Sequence, residues 1–224
     1  MSGIAVMDGQ VYQIEDAEIA DLLRMAIDTW SPKEILAELR DMGIIIALPA
    51  VPKIDEVRPP MKNTDKAWYE YWRTEEPNAP HARYGCDWNL ESMGDTDLGE
   101  PIVAPFNGVV INAGDYGGAM GRIVRIMGLC GDHNEVVVWM GAHFQEIASI
   151  VVGDIVAPGQ LVGFIGKGPQ GMYSAHLHEQ ISVSEVLGPT EFRFGGPFVD
   201  PVQWYTNHGV EEELMSRLVQ KDER

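Results

Sequence analysis

Basic side chains are scarce in this 224-residue chain, where 16 Lys and Arg stand against 34 Asp and Glu for a formal net charge of −18. Nucleic acids and anionic membrane surfaces recruit proteins mainly through Lys and Arg that meet phosphates, so neither is an expected partner. A cationic or neutral polymer fits this charge better. Cysteine is scarcer still. Cys86 and Cys130 are too few for a disulfide framework and too far apart for a CxxC metal knuckle. Two small buried thiols are the expectation, with a single bridge as the alternative. Long apolar runs are missing too: no stretch approaches the ~20 residues of a membrane-spanning helix. Residues 1–10 contain no basic region followed by an apolar run, so no signal peptide is predicted. That leaves the location open between the cytoplasm, delivery by another route to the cell envelope, the exterior or a phage particle, and a leader trimmed from this chain. What is present is a hydrophobic fraction of 45%, enough for an ordinary globular core.

Periodicity divides the chain into four parts. In residues 1–48, Ile19, Leu22, Leu23, Ala26, Ile27 and Trp30 recur at three- and four-residue spacing and predict a helix. Ser31-Pro32-Lys33-Glu34 reads as a capping box that starts a second helix, and Gly43 stops it. A helix-turn-helix DNA reader is disfavoured because the segment is acidic. Residues 49–80 are punctuated by proline and carry the aromatic cluster Trp68, Tyr69, Tyr71 and Trp72, which predicts a linker or wrapping segment. From 81 to 206, short runs rich in Val and Ile alternate with Gly and Asp clusters. This pattern predicts a mainly β fold, an antiparallel sheet or sandwich. Ile102-Val103-Ala104-Pro105 is echoed by Ile155-Val156-Ala157-Pro158, a weak internal repeat. Residues 207–224 are expected to form a charged peripheral helix.

Chemistry concentrates in the third part. His176 and His178 are separated by one residue, so on a strand both imidazoles point to one face and Leu177 to the other. Such a pair suits joint metal ligation, or one ligand beside one base; two solvent-facing histidines on an edge strand are the alternative. Asp87 shares parity with Arg83 and His81. A regular strand would hold His81 roughly 20 Å from Asp87 at ~3.3 Å per residue, so a shared metal requires a turn before Arg83. One Asp and two His would supply the three N/O ligands of a catalytic zinc site. His143 is expected to end the apolar strand Val136–Ala142, either as a satisfied core histidine or as part of the site.

Together these segments resemble the M23 family of zinc endopeptidases, the LytM or lysostaphin-like fold. Ala104-Pro105-Phe106-Asn107-Gly108-Val109-Val110 is similar to the family's "AP-x-x-G-x-V" turn and strand. Gly118 to Val124 resembles its glycine-rich hairpin, and Trp139 to Phe144 its "Y-x-H-L" segment. Val152 to Gln160 resembles "V-x-x-G-D-x-V-x-x-G-Q", Ala175-His176-Leu177-His178 the "H-L-H" strand, and Phe198 to Tyr205 the closing "V-D-P" segment. The resemblance spans about 81–205 and implies a duplicated hybrid β motif. It implies one Zn2+ per chain held by Asp87 and His178, with His176 and His143 flanking the attacking water as base and as stabiliser of the oxyanion respectively. The implied substrate is a peptide of peptidoglycan. The chain departs from the family's "H-x-G-x-D" at Arg83; Arg83-Tyr84-Gly85-Cys86-Asp87 resembles instead an "H…RYA-x-D" variant in which His81 is the displaced third ligand. If Arg83 filled the site and paired with Asp87, the domain would be an inactive scaffold that binds cell wall or a partner enzyme. A biotinyl- or lipoyl-type carrier is disfavoured because residues 110–150 contain no lysine.

Overall fold

The computed structural model describes residues 3–7, 10–14, 45–47, 50–64, 67–71, 85–90, 94–131, 135–168, 173–184 and 198–211. Near the N-terminus lie strands β1 (Gly3–Met7), β2 (Gln10–Ile14) and β3 (Ile45–Ala47), paired antiparallel in the order β1-β2-β3. Strands were not expected in this part. The two helices expected between Ile19 and Met42 lie outside the described residues.

The remaining strands form one ten-stranded sheet, with no parallel pairing among its named strands. In chain order they are β4 (Ala67–Tyr71), β5 (Gly85–Leu90), β6 (Pro101–Val103), β7 (Gly108–Asp115), β8 (Arg122–Cys130) and β9 (Glu135–Ile147). After these come β10 (Ile155–Val156), β11 (Leu161–Ile165), β12 (Leu177–Ser184) and β13 (Phe198–Val199). The main path runs β10-β7-β8-β9-β12-β5-β4, while β11 bridges β6 and the far end of β9. The fold is thus mainly antiparallel β, as the short Val- and Ile-rich runs predict.

Strands β7, β8 and β9 carry apolar residues on both faces. Val110, Val124, Ile126, Val137 and Trp139 enter the main core, whereas Val109, Ile111, Met127, Val136 and Val138 pack on the other side with Val51. The chain between Val51 and Met61 gives Val51 to this second cluster and Ile54, Val57 and Met61 to the main core. Its backbone bonds to the sheet through Ile54 N–H to Leu129 O (2.7 Å), Arg58 N–H to Pro105 O (2.9 Å) and Val103 N–H to Pro60 O (2.7 Å). Two-sided burial explains why these strands read as nearly continuous apolar runs instead of clean alternation.

One helix, α1 (Pro201–Asn207), lies among the described residues. Asp200 caps it by accepting from the amides of Val202 and Gln203, and Pro201 sits where its missing N–H costs nothing. Its Trp204 packs on Phe106 (centroids 5.7 Å apart), and its Tyr205 meets Trp88 edge-on at 6.4 Å. The helix expected over 207–224 does not begin there, since residues 208–211 form a turn and extended chain; 212–224 lie outside the described residues. The free thiols Cys86 and Cys130 are not bridged.

Candidate metal centre

Register builds the site. In β12 His178 stands directly opposite Asp87 of β5 on one side and Ala142 of β9 on the other. Directly opposed residues of an antiparallel pair project to the same face. His178 Nδ1 accordingly lies 2.9 Å from Asp87 Oδ1, and both side chains are buried. His176 precedes the strand by one residue, and its Nε2 comes within 3.7 Å of the same carboxylate oxygen.

The tautomer of His176 follows from its partner. Nδ1 lies 2.9 Å from the carbonyl oxygen of Ser174, which can only accept, so Nδ1 carries the proton. Nε2 therefore presents a lone pair in the neutral ring. That atom is buried and has no hydrogen-bond partner among the described residues. A buried nitrogen lone pair turned toward a carboxylate leaves room for a proton donor or a cation, and an N/O donor set of this kind suits zinc.

His143 arrives by a different route. Strand β9 does not end at Ala142 as expected; it runs on to Ile147, and His143 is the extra residue of a bulge, since Arg122 pairs with Phe144 and Ile123 with Ala142. Its φ of 67° makes it the one described non-glycine residue in the left-handed region. Such a conformation persists only where its surroundings over-determine it, and it marks functional positions more often than others. Here the backbone N–H of His143 donates to Met120 O, and its carbonyl accepts from Gly166 N–H at 2.8 Å. Gly166 must be glycine for this contact, because a Cβ would lie 2.5 Å from His143 O. Nδ1 also donates to Met120 O, at 3.2 Å. Burial, reinforced by the neighbouring His176 and His178, pushes the imidazole down to about 3, so His143 is neutral near pH 7.

The rings of His143 and His176 meet edge-on with centroids 4.7 Å apart, and His178 lies 5.7 Å from His143. The structure thus brings together Asp87, His143, His176 and His178. His81 lies outside the described residues, as does Arg83, and among the described residues no three His, Cys, Asp or Glu side chains complete a metal site by themselves.

Three neighbours went unnoticed in the sequence. Tyr173 lies against both His143 (5.0 Å) and His176 (5.6 Å), and its hydroxyl donates to Ala119 O in the hairpin between β7 and β8. Glu179, next to His178, is fully buried on the opposite face of β12. Asp97 sits in the connection from β5 to β6, which Asp95 ties to the amide of Ala175 at 3.1 Å and to Lys167. Their spacing carries no periodic signal; the one available cue is the Gly- and Asp-rich setting of Asp97 within Gly94–Glu100.

Asp97 is 1% exposed, and neither oxygen makes a well-formed hydrogen bond among the described residues. Burial pushes it up to about 6, against the pull of backbone N–H groups and of the nearby His176. A folded-state pKa above the unfolded value means that the native state holds this proton more tightly. The associated stability is full below about pH 4 and is lost as pH rises through about 6. Asp97→Asn should therefore stabilise the fold relative to the parent increasingly between pH 4 and 6, with a plateau above; melting temperatures across that range test it, and a pH-independent difference would refute it.

The family model described as Peptidase family M23 matches residues 85–188. Among solved structures, a Ruminococcus gnavus protein described as a glycyl-glycine endopeptidase, LytM, is 23% identical. The match covers 68% of this chain and 62% of that one, with a TM-score of 0.51. The catalytic domain of lysostaphin, an antimicrobial peptidase from Staphylococcus simulans, is 18% identical (66% of this chain, 99% of that one, TM-score 0.49). The longer lysostaphin chain is 19% identical, with 69% of this chain and 55% of that one covered at the same TM-score of 0.49, so this chain spans about half its length. No curated protein matches the sequence. The family match falls on the segment that carries Asp87, His143, His176 and His178, so residues 85–188 form a domain of peptidase family M23.

Proposed function

We propose that this chain is a zinc-dependent endopeptidase that hydrolyses peptide bonds in peptidoglycan. The observation that carries the proposal is the buried, unpartnered Nε2 of His176 turned toward the Asp87 carboxylate, 3.7 Å away, beside His178. Asp87 and His178 would hold the metal, with His81 as the third ligand. Zinc, when bound, supplies a Lewis acid that polarises the scissile carbonyl and acidifies water.

The protein's own groups do the rest. His176 Nε2 is the base: it accepts the proton of the attacking water, and the Asp87 carboxylate favours the imidazolium that results. The same proton then passes to the leaving amine nitrogen as the C–N bond breaks. His143, kept neutral by burial and held by Met120 O through Nδ1, presents its Nε2 lone pair to orient that water. A cleft lined by Asp115, Arg122, Gln145 and Glu146 offers both signs of charge to a peptide on the strand that carries His143. The similar structures, an antimicrobial peptidase and a glycyl-glycine endopeptidase, support a peptide of the bacterial wall as substrate.

The test is metal analysis of the full chain purified without chelator, paired with release of new amino termini from purified peptidoglycan. About one zinc per chain and chelator-sensitive cleavage are expected. Protein without zinc and without cleavage would favour a metal-free scaffold that binds cell wall or a partner enzyme.

A further inference from the structure

Beneath the metal centre, on the core side of the sheet, the carboxylate of Glu179 collects four donors from three elements. Oε2 accepts from the indole N–H of Trp88 at 2.8 Å and from the thiol of Cys86 at 3.2 Å. Oε1 accepts from the indole N–H of Trp139 at 2.6 Å and from the hydroxyl of Tyr205. Trp88 and Cys86 belong to β5, Trp139 to β9 and Tyr205 to α1. Glu179 is 0% exposed.

The order of these residues along the strands is what matters. Cys86 and Trp88 flank Asp87, and Glu179 follows His178, so the network ties together the two residues on either side of one ligand and the residue next to the other. Trp139 adds the third strand. Its indole folds back over Gly141, where a Cβ would lie 2.5 Å from the ring, and so reaches the carboxylate. A one-residue slip of β12 against β5 would turn His178 into the core and Glu179 toward the site. In that slipped register both indole N–H groups would lose their acceptor inside the core, at a cost well above that of a simple lost contact. For stability alone an apolar side chain at 179 would serve, since burying a carboxylate is expensive and buried polar networks are best attested as devices that fix register.

We propose that Glu179 is a positioning residue for the metal centre: by gathering Cys86, Trp88, Trp139 and Tyr205 on one carboxylate, it fixes the register of β5, β12 and β9. It thereby sets the spacing of Asp87 and His178, and with it the affinity for the metal. This rests on the metal site proposed above.

Glu179→Gln tests it. Glutamine keeps the shape but offers one acceptor oxygen, so its amide NH2 must face an indole N–H in either orientation. Metal affinity of the folded full-length apoprotein is measured by competition with a chelator, and the ligand field by the visible spectrum of the Co2+ form. Phe106→Leu, a core change away from the site, controls for general destabilisation. The expected result is a loss of about 10- to 100-fold in affinity with altered Co2+ bands for Glu179→Gln, and neither change for Phe106→Leu. Unchanged affinity and bands in Glu179→Gln overturn the positioning role while leaving the metal site intact. Failure of the parent chain to bind Zn2+ or Co2+ overturns the metal site itself and this role with it. Should Glu179→Gln not accumulate as folded protein, Tyr205→Phe removes a single hydroxyl donor and keeps the ring. Weaker binding there supports the role, and parent-like binding overturns it.

Discussion

Replacing His178 with alanine should abolish metal binding and lower kcat/KM by at least about 1,000-fold, since a metal contributes several kcal/mol to charge stabilisation in the transition state. Nδ1 of His178 and Oδ1 of Asp87 face each other at 2.9 Å in a buried setting, so no other described histidine can take over that position without a change of strand register. His176 is the nearest imidazole, but its Nδ1 is committed to Ser174 O and its Nε2 lies 3.7 Å from Asp87. Zinc content by mass spectrometry and cleavage of peptidoglycan by amine release are the measurements. Retention of stoichiometric zinc in His178→Ala would remove this residue from the ligand set.

His176→Ala should give the opposite pairing of results: zinc retained, and kcat reduced by about 100- to 10,000-fold, the usual contribution of a positioned base. The reason is geometric. His176 lies just outside β12 and reaches the site with a lone pair that no described residue satisfies, so its loss removes a proton acceptor while Asp87 and His178 stay in register. Because the base acts on bonds that change during the reaction, KM should move far less than kcat. Parallel loss of zinc and activity would make His176 a ligand instead. The two alanine variants together thus separate holding the metal from moving the proton.

The grouping of two of these histidines was legible in the sequence. The one-residue spacing of His176 and His178 predicts both imidazoles on one side, and both do reach the Asp87 carboxylate, His176 from just outside β12, with Leu177 in the core. The antiparallel β character of residues 81–206 was legible for a similar reason: runs of Val and Ile broken by Gly and Asp have few other stable outcomes. The extent of individual strands was less so. Strand β9 passes through His143, because a bulge absorbs the extra residue and periodicity cannot anticipate a residue that breaks the period. The strands β1, β2 and β3 at the N-terminus were missed because each is only three to five residues long, too short to set a pattern apart from the longer helical spacing that follows.

The chain alone determined which chemistry is available: an acidic protein, poor in cysteine, with Asp87, His143, His176 and His178 distributed over a β domain. Local sequence suffices for this because side-chain alternation and turn chemistry act over a few residues. Tertiary structure decided which of these groups meet and in what state. Asp87 and His178 are 91 residues apart and become neighbours only through the pairing of β5 with β12. His143 is held neutral by burial, and Glu179 lies on the far face of the sheet among four donors. Those outcomes depend on desolvation and on strand register, both of which are set by contacts between distant segments, and no short stretch of sequence carries them.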